Sequence, residues 1–165
     1  MAKEIERKFL VRSDDWRDSA VSASSFRQAY IVAAEDRNLR VRLVNDVQAK
    51  LTFKVGDGTL TRDEYEYEIP ADDARELLGA TVGTIIEKTR HVVPFAGFTW
   101  EVDVFEGVYA GLVVAEVELQ AESDEPQLPD WIGVEVTGDR RYSNMVLATE
   151  NLAAELGHGL SHQAL

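Results

Sequence analysis

Hydrophobic and polar residues alternate with period two along most of this chain, which is the repeat of an extended strand. The alternation predicts strands at roughly 3–11, 26–34, 38–45, 48–56, 62–69, 84–93, 98–105, 113–121 and 132–137. Turn-forming clusters separate several of them: Gly56-Asp57-Gly58, Ala96-Gly97, and the stretch from Glu125-Pro126 onward. Three helices are predicted. Ser13 caps a short one through Trp16. Pro70 and Asp72 open a second, which runs through Leu77-Leu78 and stops near Gly79. Ser143 caps a third through Leu147, Leu152 and Leu156, with Gly157 as its stop. Many short strands with few helices predict a sandwich or a closed barrel. Residues 1–156 read as one domain, and 157–165 as a loose tail.

Sorting the strands by parity puts nearly all the charge on one face. Glu4, Glu6 and Lys8 share it, against Ile5 and Phe9. Arg40 and Arg42 oppose Leu39, Val41 and Leu43. Lys50 and Lys54 oppose Leu51 and Phe53. Glu64, Glu66 and Glu68 oppose Tyr65 and Tyr67. Lys88 pairs by parity with Arg90, Glu101 with Asp103, and Glu116 with Glu118. The plainest account is the wet face of an antiparallel sheet. Two details favour a binding face. Charges cluster by sign within each strand, although like charges ~6.5 Å apart cost about 2.5 kcal/mol at an effective dielectric near 20. Short neutral side chains, equally good for solubility, are scarce there. Clustered carboxylates attract hard cations, and clustered Arg and Lys attract phosphate. A metal–polyphosphate asks for both.

Composition then limits the partners. The net charge is −13, from 30 acids and 17 bases in 165 residues, which disfavours nucleic acid and anionic membrane. Cysteine is absent, so disulfides, thiolate metal sites and a Cys nucleophile are excluded. Charged residues from Lys3 leave no room for a signal peptide, and the most apolar run, Gly107 to Ala115, is too short to span a bilayer; a cytoplasmic protein is expected. His91, His158 and His162 lack ligand spacing.

The opening Glu4-Ile5-Glu6-Arg7-Lys8-Phe9 carries an ExExK signature and resembles the CYTH, or triphosphate tunnel metalloenzyme, family. The likeness continues in order through Gln28-Ala29-Tyr30, Arg40-Val41-Arg42, Leu51-Thr52-Phe53-Lys54, Arg62 to Glu68, Glu87-Lys88-Thr89-Arg90, Trp100-Glu101-Val102-Asp103, Glu116-Val117-Glu118 and Glu135 to Asn144. The resemblance implies an eight-stranded antiparallel barrel forming a closed tunnel with a few flanking helices. One or two of the nine predicted strands would then be split or misplaced. It also implies hydrolysis of a triphosphate, inorganic triphosphate above all, with Mg²⁺ or Mn²⁺. Nucleoside or thiamine triphosphatases and an adenylate cyclase share the family. A non-catalytic polyphosphate sensor could use the same tunnel.

Carried over by position, Glu4, Glu6, Glu116 and Glu118 would hold the metal. Lys8, Arg40, Arg42, Lys54, Arg62, Lys88, Arg90 and Arg141 would grip phosphate. Glu64, Glu66, Glu68 and Asp103 would form a second acidic cluster, and Lys8, Glu66, Glu68 and Asp103 would take part in catalysis. Lys50 and Glu101 share faces with these residues but read more readily as rim residues, and Arg7 as a surface ion-pair partner. An organic substrate would need an aromatic platform, for which Trp16, Trp100 and Trp131 are the candidates, although parity puts Trp100 outside the charged face.

Overall fold

A computed structural model describes residues 2–56, 60–153 and 156. All nine predicted strands are present: β1 (Ala2–Val11), β2 (Ser22–Ala33), β3 (Arg37–Val44), β4 (Gln48–Val55), β5 (Thr61–Ile69), β6 (Ile86–Phe95), β7 (Phe98–Phe105), β8 (Val113–Glu118) and β9 (Ile132–Glu135). None is split, which corrects that expectation. The sheet runs β5-β4-β3-β2-β6-β7-β8-β1-β9, and a further β5–β1 pairing closes the first eight strands into an antiparallel barrel. β1 makes this possible by serving several partners. Ala2–Ile5 pair with β5, Glu6–Leu10 with β8, and Phe9 and Val11 with β9. The ninth strand is therefore an addition outside the closed ring.

Turn chemistry fixes the hairpins. Asn45 and Asp46 take positive φ between β3 and β4, as their short polar side chains permit. Ala96 and Gly97 do the same between β6 and β7, where Phe95 pairs with Phe98. β2 starts four residues earlier than predicted. Ser22–Ser25 show no alternation, but they pair with Val92–Thr89 of β6, so ladder hydrogen bonds decide the boundary.

Two apolar clusters lie outside the barrel. Helix α1 (Ala71–Leu78), stopped at Gly79 as expected, buries Ala74 and Leu78 on Ala29, Val41, Leu43 and Ala49. On the other side Phe9, Val93, Trp100, Val102, Ala115 and Val117 pack with Trp16 and Trp131. Trp16 arrives on a 3-10 turn, Asp15–Ser19, whose leading residue is Asp14; Ser13 accepts only from the Asp15 amide, at 3.4 Å.

The third cluster lies on the inward parity. Leu10, Ile86, Phe105 and Val114 pack with Tyr30 and with Val146, Leu147 and Ala148 of helix α2 (Asn144–Thr149). Ser143 caps α2 as predicted, but α2 ends at Thr149; residues 150–152 interrupt the predicted helix, and helical conformation returns at Ala153 and at Leu156, whose amide donates to the Leu152 carbonyl at 2.9 Å. The buried Tyr109 hydroxyl meets the Leu147 and Glu150 carbonyls and accepts from the Leu152 amide, so it holds the break that follows α2. Gly157, the predicted tail and His158 and His162 lie outside the described residues, as do Asp57 and Gly58. Among the described residues no helix is long and apolar enough to cross a membrane.

Candidate active site

The inward charged residues surround a cavity of about 750 Å³. β1 contributes Glu4, Glu6 and Lys8. Arg40 and Arg42 come from β3, Lys54 from β4, and Arg62, Glu64 and Glu66 from β5. Arg90, Glu101, Glu116 and Glu118 complete the wall from β6, β7 and β8. Parity alone brings these residues to one face; closure through β5–β1 turns that face into an interior.

Two groups of ion pairs occupy the wall. In the first, Lys54 Nζ lies 2.8 Å from Glu4 and 3.7 Å from Glu64, and Arg62 lies 3.6 Å from Glu4. Burial disfavours the ionised Glu4, but hydrogen bonds with Glu64 and Lys54 outweigh it and hold this carboxylate well below its usual range. The same Glu4 hydrogen bond, then burial, raises Glu64 to about 7. The two carboxyls thus share a proton. Burial, followed by the Glu116 and Glu4 charges, pushes Glu6 up to about 8.

In the second group Arg90 grips Asp103 with Nε at 2.7 Å and a terminal nitrogen at 2.8 Å. Arg90 also lies 3.3 Å from Glu101 and 3.7 Å from Glu116. Lys8 lies 3.6 Å from Glu116 and donates to the Tyr142 carbonyl at 3.1 Å. Burial works against the Glu116 carboxylate, yet Lys8 and Arg90 hold it down at about 2. Arg42 stacks on the Phe26 ring at 4.1 Å and donates to Gln28 at 2.8 Å. Burial, then Arg40 and Arg90, lowers Arg42 to about 9.

Arg40 differs from the other cations. It is buried, and among the described residues its guanidinium has one hydrogen bond, to Thr52 at 3.3 Å. Its Nε has no partner, and neither does the buried Asn38 Oδ1 two residues earlier. Unpartnered buried donors are rare in folded proteins, and this one belongs to a residue that lines the cavity, where an acceptor could use it.

Four of the predicted residues stand apart from the cavity wall. Lys88 and Asp103 are almost fully buried behind it, 2.6 Å from each other. Burial pulls the Lys88 ammonium down, against Asp103 but helped by Arg90 and Arg42. Glu68 is exposed, and Arg141 is drawn to Asp139, at 2.7 Å, on the surface. Of the two uncertain residues, Lys50 sits at the rim, 3.2 Å from Glu66, and Glu101 lines the cavity. Arg7 makes the expected surface pair, a bidentate one with Glu135. The proposed tryptophan platform is absent: Trp16, Trp100 and Trp131 all pack in the outer cluster.

Residues 2–144 match the CYTH domain family. The chain belongs to the CYTH family. Two curated relatives are similar along most of their length. An inorganic triphosphatase of Acetivibrio thermocellus is 48% identical over 145 residues, covering 87% of this chain and 92% of its own. An inorganic triphosphatase of Nitrosomonas europaea is 38% identical over 149 residues, covering 88% and 96%. The crystal structure of the inorganic triphosphatase NE1496 matches the fold with a TM-score of 0.65 at 35% identity, over 91% of this chain and 97% of that one.

Within this CYTH barrel, several lining residues went unassigned at the level of sequence: Phe26, Tyr30, Asn38 and Asn144. The signal for three of them was present. Asn38 lies two residues before Arg40, and Phe26 and Tyr30 flank Gln28 at the same spacing. Asn144 follows no strand parity, because α2 brings it to the site.

Proposed function

We propose that this chain hydrolyses inorganic triphosphate to pyrophosphate and phosphate with the help of a divalent cation. The observation that carries this reading is the interior itself: guanidinium and ammonium groups converge with carboxylates in one cavity, and the buried Arg40 still has an unused donor. Arg40, Arg42, Lys54 and Arg90 would bind the equatorial phosphate oxygens and draw charge from the transferring group. Water attacks the terminal phosphorus, the bridging P–O bond breaks, and pyrophosphate leaves with the bond's electron pair. The attacking water's proton passes to a carboxylate such as Glu66, whose pKa burial raises less than Lys50 and Thr52 lower it. No covalent nucleophile is required.

The acidic donors fit a cation. Glu6 is pushed up to about 8 by burial and then by the Glu116 and Glu4 charges, a crowding that a positive ion relieves. Among the described residues no three His, Asp or Glu side chains are gathered as a ready-made cage. An ion such as Mg²⁺ or Mn²⁺ takes only part of its shell from carboxylates and completes it with phosphate oxygens and water. Glu4, Glu6 and Glu116 would hold it, with the more exposed Glu118 at the rim. An ion held there would offset the negative charge that develops in the transition state.

An organic triphosphate is less well served. Phe26, the ring that lines the cavity beside Tyr30, already has Arg42 and Arg90 over it. The net charge of −13 likewise suits a small ligand better than nucleic acid or an anionic membrane. The test is phosphate release from inorganic triphosphate, ATP and thiamine triphosphate, each with Mg²⁺, Mn²⁺ or EDTA. Release from inorganic triphosphate that EDTA abolishes is expected. Metal-independent release would remove Glu4 and Glu6 from their role, and cyclic AMP formation from ATP would replace the hydrolase. Tight binding without turnover would make the chain a sensor.

A further inference from the structure

Two of the cavity's arginines are joined behind the wall by a continuous set of hydrogen bonds. Arg42 Nε donates to Gln28 Oε1 at 2.8 Å, and Gln28 Nε2 faces Asn144 Oδ1 at 3.5 Å. Lys88 Nζ donates to the same Asn144 oxygen at 2.9 Å and contacts Asp103 at 2.6 Å. Asp103 in turn accepts the bidentate grip of Arg90. The Phe26 ring lies beneath both guanidiniums, 4.1 Å from Arg42 and 5.2 Å from Arg90. Gln28, Lys88 and Asp103 are buried, so none can exchange a lost partner for bulk water.

Every member but one belongs to a barrel strand. Asn144 is the first residue of α2, which is fixed independently of it. The Thr84 amide donates to the Ala148 carbonyl at 2.7 Å, and a Cβ on Gly83 would fall 2.1 Å from that carbonyl oxygen. Leu147 is buried in the inner apolar cluster.

We propose that Asn144 is a positioning residue for the phosphate grip: one side-chain oxygen, carried in by the C-terminal helix, holds Gln28 and Lys88 and through them sets the placement of Arg42 and Arg90. The inference rests on the triphosphate reading for its functional consequence. Without the Asn144 oxygen, Gln28 is free to turn away from Arg42. Lys88 is left to Asp103 alone and draws it from Arg90.

The test compares Asn144→Leu, Asn144→Asp and Leu147→Ala. Binding of inorganic triphosphate is measured by calorimetry in EDTA, KM and kcat with Mg²⁺, and the Arg42 and Arg90 Nε–H resonances by ¹⁵N NMR. Asn144→Leu is expected to weaken binding and raise KM about tenfold, and to shift both resonances. Asn144→Asp keeps the acceptor and restores most of the affinity. Leu147→Ala loosens the α2 packing alone; it lowers Tm but keeps KM within about twofold of the parent. If Asn144→Leu does not accumulate folded, Asn144→Ser, too short to reach Lys88, carries the same expectations. Unchanged binding in the Leu or Ser variant overturns the proposal, as does an equal rise of KM in Leu147→Ala. If the parent neither binds nor cleaves triphosphate, the function fails separately. The two arginine resonances then decide the coupling alone, and unchanged resonances overturn it.

Discussion

The inward faces of β1, β6, β7 and β8 each change character part-way along. β1 runs Glu4, Glu6, Lys8 and then Leu10. β8 passes from Glu118 and Glu116 to Val114, β6 from Arg90 and Lys88 to Ile86, and β7 from Glu101 and Asp103 to Phe105. One half of this interior is a charged cavity; the other is an apolar floor packed on α2. The same strands thus carry two tasks that make opposite demands. The floor gains stability from burial. The cavity holds like charges together and leaves a buried guanidinium without a full set of partners, which a protein selected for stability alone would not keep.

Substitutions at matched positions can break this comparison. The largest effect is expected at Arg40. Arg40→Met should lower kcat/KM for inorganic triphosphate by ~100-fold or more, the usual consequence of losing a donor aimed at developing charge. Its Tm should equal or exceed the parent's, because the guanidinium is buried with one weak hydrogen bond and repels Arg42. A clear fall in Tm with little loss of activity would make Arg40 a structural residue. Leu10→Ala is the converse. It should cost about 2–5 kcal/mol in denaturant unfolding, as for other buried leucines. The kcat/KM of the folded fraction should be unchanged. An activity loss to match Arg40→Met would erase the distinction between the two halves.

This division explains what could be seen in the sequence. Period-two alternation reports which face a residue takes, and it placed Glu4, Arg40, Lys54, Glu64, Arg90 and Glu116 together correctly. It does not report depth along the barrel. Leu10 shares parity with Lys8 and was invisible as part of a floor, because the tertiary partner that makes it one is α2. Lys88 was assigned to phosphate and Asp103 to the second acidic cluster through the family resemblance; parity agreed by pointing them inward, but their mutual pair is packed behind the cavity. A bulge defeats the rule outright in β2. Tyr30 pairs with Arg40, yet Val32 pairs with Leu39, so Ala33 takes the inward position beyond Ile31. The break after α2 had no local signal, since the competing hydroxyl of Tyr109 is distant in sequence.

A pH titration sharpens the comparison with a smaller effect. Glu64 and Glu6 have folded values of about 7 and about 8, above the ordinary 4.5. At these two groups the folded chain therefore binds more protons than the unfolded chain between those limits, and their contribution to stability falls as pH rises through that window. Without metal, Tm should decline from pH 5 to about 7; above that Lys88, lowered to about 7, acts in the opposite direction and levels the curve. Glu6→Gln should flatten the upper part of that decline, and Mg²⁺ should oppose it by favouring ionised carboxylates. Leu10→Ala should shift the whole curve without changing its slope. A metal-free Tm that is level or rising from pH 5 to about 7 would mean that the carboxyls do not share protons as described.

The smallest effect is expected outside both halves. Arg7 alternates with Glu6 and Lys8 but faces outward, where it pairs with Glu135 of β9 through two hydrogen bonds of 2.9 and 2.8 Å. Both side chains remain partly in water, at 25% and 39% exposure, so screening limits what the pair contributes. Arg7→Ala should cost no more than about 1 kcal/mol and leave turnover, KM and metal dependence unchanged. Arg7 is one residue from two cavity groups and differs from them only in parity. If its loss reduced turnover as Arg40→Met does, the barrel wall would not separate an inner chemistry from an outer scaffold, and the comparison would fail at its simplest point.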